Sequence, residues 1–207
     1  MNPIIRVLIV DDHTVVQQGL AAIINKQTDM TVVGEAKDGI GAVDLFRQLQ
    51  PNVTLMDLRM PQMGGAEAIS TICAEFSTAR IIILTTYDGD EDIYQGLRAG
   101  AKGYLLKDCE PSDLRTAIRT VHAGQRYIPP HIADKLVQRL EHPELKQREI
   151  EILRLVAQGM NNLEISTALN ISESTVKSNL SRILSKLGAN DRIQAAIIAL
   201  KRGIANL

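Results

Sequence analysis

Five short apolar runs alternate with amphipathic stretches in the N-terminal part of the chain, which predicts an α/β fold: a doubly wound, five-stranded parallel sheet. A strand-free tail from about Glu144 predicts a small all-α domain of four helices. The charge changes sign at the same place. Residues 1–143 carry 14 Lys/Arg against 18 Asp/Glu, whereas residues 144–207 carry 9 against 6, so an acidic part is joined to a mildly basic one.

The elements follow in order. Ile4–Val10 is an apolar run closed by two acids and reads as a buried strand; Val15–Ile24 has helical spacing. Thr31–Ala36 is the second strand, with a helix over Ala42–Leu49. Val53–Met56, behind Pro51-Asn52, is the third, and a helix over Ala66–Phe76 follows the turn-prone Gly64-Gly65. Arg80–Leu84 holds Ile-Ile-Ile-Leu, a buried strand, followed by a helix over Glu91–Ala99 that stops at Gly100. Gly103–Leu106 is the fifth strand, and a helix starts at Pro111, where a missing N–H costs nothing. Pro129-Pro130 and Pro143 mark a linker over 124–143, with a connecting helix at Ile132–Leu140. The tail helices are Gln147–Gln158, stopped by Gly159; Asn162–Leu169; Ser172–Leu187, with Ser172 as N-cap and Gly188 as stop; and Asp191–Arg202, ending at Gly203. The expected organisation is therefore 1–123, 124–143 and 144–207.

Composition narrows the function. The 207 residues are 45% apolar and 23% charged, which excludes collagen-like, mucin-like and disordered chains. Aromatics are 3% with no Trp, which argues against stacking platforms for single-stranded nucleic acid. Cys73 and Cys109 form no CxxC pair, so a disulfide framework or zinc site is not expected and a reducing cytosol fits. No apolar run approaches the roughly 20 residues of a membrane helix, and MNPIIRVLIVDD reads as a strand and not a signal peptide.

Polar residues close the strands: Asp11-Asp12 after the first, Asp57 after the third, Thr85-Thr86 after the fourth, Lys107 after the fifth. In an open α/β sheet ligands bind at the carboxyl ends of the strands, so these side chains converge. Clustered carboxylates repel, and a hard divalent cation such as Mg2+ relieves that cost. One carboxylate then acts as nucleophile toward phosphorus, with Lys107 stabilising charge and Thr85 hydrogen-bonding the new phosphate oxygens. Taken singly, Asp11 or Asp12 is a helix N-cap, Thr85 a strand end and Lys107 a solvated charge; the joint placement carries the reading. His13, His122, His131 and His142 lack metal-ligand spacing and read as surface or packing residues.

In the third tail helix Val176, Leu180, Ile183, Leu184 and Leu187 form one apolar stripe. The opposite face holds Ser174, Ser178, Ser181, Arg182 and Ser185, flanked by Lys177 and Lys186, a narrow and partly basic surface suited to a DNA major groove. Asn162–Leu169, a turn at Asn170-Ile171 and Ser172–Leu187 together read as helix-turn-helix.

The segments LIVDDH, LMDLRMPQMGG, ILTTYD and AGAKGYLLKD resemble the receiver domain of bacterial two-component response regulators over residues 4–123. LKQREIEILRLVAQGMNN, EISTALNISESTVKSNLSRILSKLGANDR and QAAIIALKRGI resemble the LuxR-type DNA-binding domain over 144–207. Together they look like the NarL/FixJ class, which implies a flavodoxin-like receiver. The resemblance implies that Asp57 accepts phosphate from a sensor histidine kinase. It implies Mg2+ on Asp11, Asp12, Asp57 and the Arg59 backbone carbonyl, contact of Lys107 with the phosphoryl group, and Thr85 and Tyr104 as a switch pair. Tyr104 by itself reads as an amphipathic surface aromatic. In the tail the resemblance implies DNA contact by Lys177, with Ser178, Ser181, Arg182 and Lys186 as neighbours, and dimerisation through the last helix, where Ala195, Ile198 and Ala199 are candidates for that surface or simply for the core.

The implied function is a cytoplasmic transcription factor that catalyses only its own phosphorylation and dephosphorylation. It binds promoter DNA as a homodimer when phosphorylated, with RNA polymerase as a further candidate partner and no membrane partner. Gly64, Leu163, Ser174 and Lys146 depart from the usual pattern. Leu163 and Ser174 stand where Lys is frequent, which keeps open an alternative in which the tail acts through a protein partner with weak or no DNA binding. A phosphatase of the aspartate-nucleophile type uses an acid pair at the nucleophile, whereas Leu58-Arg59-Met60 follow Asp57.

Overall fold

The computed structural model describes residues 4–86, 90–141, 145–201 and 204–205. His142, Pro143, Glu144, Arg202, Gly203 and the Tyr87-Asp88 pair of ILTTYD lie outside the described residues. The chain forms two compact units, Met1–Leu136 and Val137–Leu207.

The first unit alternates strands and helices: β1 (Ile5–Val10), α1 (Thr14–Asn25), β2 (Met30–Ala36), α2 (Gly39–Leu49), β3 (Val53–Met56), α3 (Gly65–Glu75), β4 (Ile81–Thr85), α4 (Asp90–Arg98), β5 (Gly103–Leu106) and α5 (Pro111–His122). All four strand pairings are parallel and the order is β2-β1-β3-β4-β5. The runs are apolar throughout because both faces are covered. In β1, Leu8 and Val10 face one layer with α2, α3 and α4, and Val7 and Ile9 face the other with α1 and α5. The chain order reverses between β1 and β3, and the crevice outside that reversal is where such sheets bind ligands.

After α5 the chain returns to the sheet edge. Tyr127 bridges to Gly103; its N–H donates to Lys102 O at 3.0 Å and its carbonyl accepts from Tyr104 N–H at 3.0 Å. The expected connecting helix is α6 (Pro130–Glu141), whose Ile132 is buried against the layer of α2–α4.

The second unit contains α7 (Gln147–Ala157), α8 (Asn162–Leu169), α9 (Glu173–Leu187) and α10 (Arg192–Lys201). Its caps explain its boundaries. Asn161 and Glu164 form a reciprocal capping box on α8, which ends at Asn170 with φ 50°. Ser172 Oγ accepts from Thr175 N–H at 3.1 Å, and Gly188 ends α9 in the left-handed region at φ 62°. The core joins Ile152, Leu153 and Val156 of α7 to Ile165, Val176, Ile183 and Leu187.

Ala195 and Ala199, candidates for a dimer surface or for the core, are fully buried in this core, and Ile198 packs partly against it. The exposed apolar residues of α10 are Ile193 and Ile197, which occupy the opposite side of the helix. Tyr104 also differs from its reading as a surface aromatic. It is fully buried on β5, in the layer with Met56, Leu58, Ile83 and Ile93.

Candidate functional site

The β1–α1 and β3–α3 loops leave adjacent strands at the same end of the sheet and carry the acids together. One ligand atom each from Asp11, Asp12, His13 and Asp57 lies within 4.8 Å of the others. Asp11 and Asp57 are almost fully buried, Asp12 is half-buried and His13 is exposed. Lys107 Nζ reaches into the cluster, 2.7 Å from Asp57 Oδ2 and 2.8 Å from Asp11 Oδ2. Burial pulls its ammonium pKa down, but hydrogen bonds to Asp11 and Asp57 outweigh that pull and leave it above the ordinary lysine value. Among the described residues, Lys107 thus pairs with two of the three carboxylates, Asp11 and Asp57.

Backbone groups hold these carboxylates in place. Asp57 Oδ1 accepts from Leu58 N–H at 2.7 Å, and its backbone N–H donates to Val10 O at 2.9 Å. Asp11 Oδ1 accepts from His13 N–H at 2.9 Å, a turn that starts α1 without a side-chain cap on His13. Helix α3 closes over the Asp57 loop through Gly65, whose N–H donates to Leu58 O at 2.9 Å. A Cβ on Gly65 would stand 1.9 Å from the Asp57 carbonyl oxygen, so only glycine allows this approach.

Thr85, the last residue of β4, is fully buried, and its carbonyl accepts from Lys107 N–H at 2.9 Å. That bond ties the threonine and lysine strand ends to one another. Arg59, whose carbonyl is a candidate metal ligand, pairs through its side chain with Asp92 of α4 at 3.1 Å.

The sequence reading placed Asp11, Asp12, Asp57 and Lys107 together, and the structure brings them together. It missed His13, whose Nδ1 is 2.8 Å from Asp12 Oδ1, because a histidine following two acids has no ligand spacing of its own. It also missed Gln17, a buried polar residue on α1. The available signal was its position three before Leu20 and seven before Ile24, on the apolar stripe.

On α9 the expected faces separate. Val176, Ile183 and Leu187 are buried, with Leu180 and Leu184 half-buried, whereas Ser174, Lys177, Ser178, Ser181, Arg182 and Ser185 are exposed. Lys177 pairs with Glu173 at 3.0 Å across one turn, a solvent-exposed contact that is readily exchanged.

Lys186 is different from the expected flanking contact. Its Nζ is 2.7 Å from Glu149 Oε2, and Glu149 is only 2% exposed. The same carboxylate oxygen accepts from Lys146 N–H at 2.7 Å, which supplies the cap that Lys146 lacks in its side chain. Burial pushes the Glu149 pKa up, but Lys186 and the Lys146 amide outweigh it and hold the carboxyl below its usual range. Lys186 therefore ties α9 to α7. Arg192, another cation of this unit, donates to Asn162 Oδ1 at 2.9 Å and to Met160 O.

Comparison with known proteins agrees with both units. The model for the response regulator receiver domain matches residues 7–119, and the model for bacterial regulatory proteins of the luxR family matches residues 143–199. The chain is 42% identical over 210 residues to the transcriptional regulatory protein LiaR of Bacillus subtilis, covering 98% of this chain and 100% of that one. It is 37% identical over 205 residues to the response regulator protein VraR of Staphylococcus epidermidis, covering 97% and 98%. Among solved structures, a complex of the two-component response regulator RcsB with DNA matches with TM-score 0.76 at 29% identity, covering 96% of this chain and 98% of that one.

Proposed function

The chain belongs to the two-component response regulators that join a receiver domain to a LuxR-type DNA-binding domain, and from that premise we propose that it is a cytoplasmic transcription factor switched by phosphorylation of Asp57. The observation that carries this reading is the buried pair of carboxylates, Asp11 and Asp57, bridged by one ammonium at the mouth of the β1/β3 reversal. We take 1–123 as receiver, 124–143 as linker and 144–207 as DNA-binding domain.

Among the described residues, three carboxylates beside the Lys107 ammonium leave unbalanced negative charge in a mostly buried cleft, and oxygen donors at this spacing fit Mg2+. Asp11, Asp12 and Asp57, with the Arg59 carbonyl, would hold the ion, and when bound it offsets carboxylate repulsion and charge on phosphoryl oxygens. The chain's own residues do the rest. A carboxylate oxygen of Asp57 forms the new P–O bond as the P–N bond of the kinase phosphohistidine breaks, and the imidazole departs as the leaving group. Lys107, already fixed beside Asp57, meets the negative charge of the transferred group. Thr85 donates its hydroxyl to a phosphate oxygen. In this switch the inward ring of Tyr104 belongs to the phosphorylated form, and the ring is inward here.

Phosphorylation then shifts the population toward a homodimer competent for promoter DNA. Lys177, Ser178, Ser181 and Arg182 form the reading face; Lys186 is committed to Glu149. Ile193 and Ile197 replace Ala195 and Ala199 as the α10 residues available to a second copy. The sensor kinase is the upstream partner and RNA polymerase a downstream one.

The test is intact mass after incubation with phosphoramidate and Mg2+. The wild-type chain gains one phosphoryl group and Asp57→Ala does not. Equal adducts on both would refute the assignment.

A further inference from the structure

We infer that Gln17 is a positioning residue of the acidic site, holding the backbone of Asp11 in place through the carbonyl of Ala36. This rests on the site reading given above and adds to it a residue that touches none of the reacting groups.

Gln17 is 2% exposed on α1, yet it carries an amide. Its Nε2 donates to Ala36 O at 2.7 Å. The same oxygen accepts the backbone N–H of Asp11 at 3.0 Å. Ala36 is the last residue of β2 and pairs with Val10, so this carbonyl is where the β1–β2 ladder ends and the acidic loop begins. The Gln17 backbone also closes on that loop, its N–H donating to His13 O at 3.1 Å. One residue therefore grips the 11–13 segment from both sides. The main chain reaches its far end, and the side chain fixes the acceptor at its near end.

The loop needs this support. His13 gives α1 no side-chain cap, and Asp11 Oδ1 is occupied within the loop by the His13 amide. Groups that orient a site's direct ligands are worth about 10–100-fold in metal affinity. The bond is also separable from folding. When the Gln17 amide is removed, Ala36 O keeps the Asp11 N–H, so no buried acceptor is orphaned.

The experiment compares full-length wild type, Gln17→Met and Gln17→His. Methionine keeps the length without a donor, and histidine returns a ring N–H. Mg2+ affinity is read by titration calorimetry, and exchange of the Asp11 amide is read by NMR in EDTA. We expect Gln17→Met to weaken Mg2+ binding by about tenfold and to speed Asp11 amide exchange without metal. Gln17→His should recover a large part of both, and melting in EDTA should stay near wild type for each. Gln17→Leu replaces Gln17→Met if the latter does not fold. Unchanged Mg2+ affinity in the folded donor-free variant overturns the role, as does a loss of melting temperature alone. Equal weakening in the Met and His variants overturns it too, since that outcome reports packing. Wild type that binds no Mg2+ would remove the site reading itself, a result distinct from a variant that matches a binding wild type.

Discussion

Replacing Lys186 with methionine should open the helical unit without first altering its DNA face. The ammonium lies 2.7 Å from Glu149 Oε2, and Glu149 is 2% exposed. Breaking a buried ion pair from one side costs ~3–5 kcal/mol, because the remaining charge stays in a poor dielectric. Two features set the low end here. The lysine side chain keeps 18% of its exposure, and the Lys146 N–H still bonds the carboxylate. A loss of about 3 kcal/mol corresponds to roughly a hundredfold fall in protection of α7 and α9 amides, read by native-state hydrogen exchange on the full chain. The pH dependence gives a second signature. Since Lys186 and the Lys146 amide hold the Glu149 pKa below its ordinary 4.5, the pair stabilises the fold above that value and its contribution fades as pH falls through the lower folded-state pKa. The gap between wild type and Lys186→Met should therefore shrink in acid below 4.5. Unchanged protection combined with a drop in DNA affinity would refute this reasoning and return Lys186 to the DNA face.

Other perturbations follow from the same geometry. Thr54 Oγ1 is buried on β3 without a hydrogen-bond partner among the described residues, so Thr54→Val should stabilise the receiver by about 1 kcal/mol in urea unfolding. Gly65→Ala places a Cβ 1.9 Å from Asp57 O and should cost about 3 kcal/mol, the upper end for overpacking, with slower phosphorylation of Asp57 seen by intact mass. Lys177→Ala should lower the salt slope of DNA binding by about one, since its side chain is 64% exposed and its tie to Glu173 spans a single helical turn.

Much of this architecture was legible because burial on two faces writes itself plainly. Val53–Met56 and Gly103–Leu106 are strands over the expected residues, and Asn162–Leu169 is a helix over the expected residues, its end set by Asn170. The acidic cluster was legible because strand ends in a parallel sheet converge whatever the side chains do. What failed depended on facing and on distant partners. Helix α10 reads RIQAAIIALK, apolar around most of its circumference, so the sequence left Ala195 and Ala199 open between a dimer surface and the core, and only the structure shows them inward with Ile193 and Ile197 outward. Lys186 sits at the border of a polar face, and its partner lies on another helix, 37 positions earlier. Tyr104 alternates with Leu105 on a strand buried on both faces, where even an amphipathic side chain goes inside. Gln17 needed the knowledge that Ala36 O ends the β1–β2 ladder, which only pairing reveals.

The central claim is that phosphate on Asp57 governs DNA binding by the other unit. Its most direct test is the affinity of the full chain for a DNA fragment selected from genomic fragments, with and without phosphoramidate and Mg2+, at fixed salt. The account predicts tighter binding after phosphorylation in wild type and no change in Asp57→Ala, with Lys177→Ala weakening both states. Equal affinity with and without confirmed phosphate on Asp57 would contradict it.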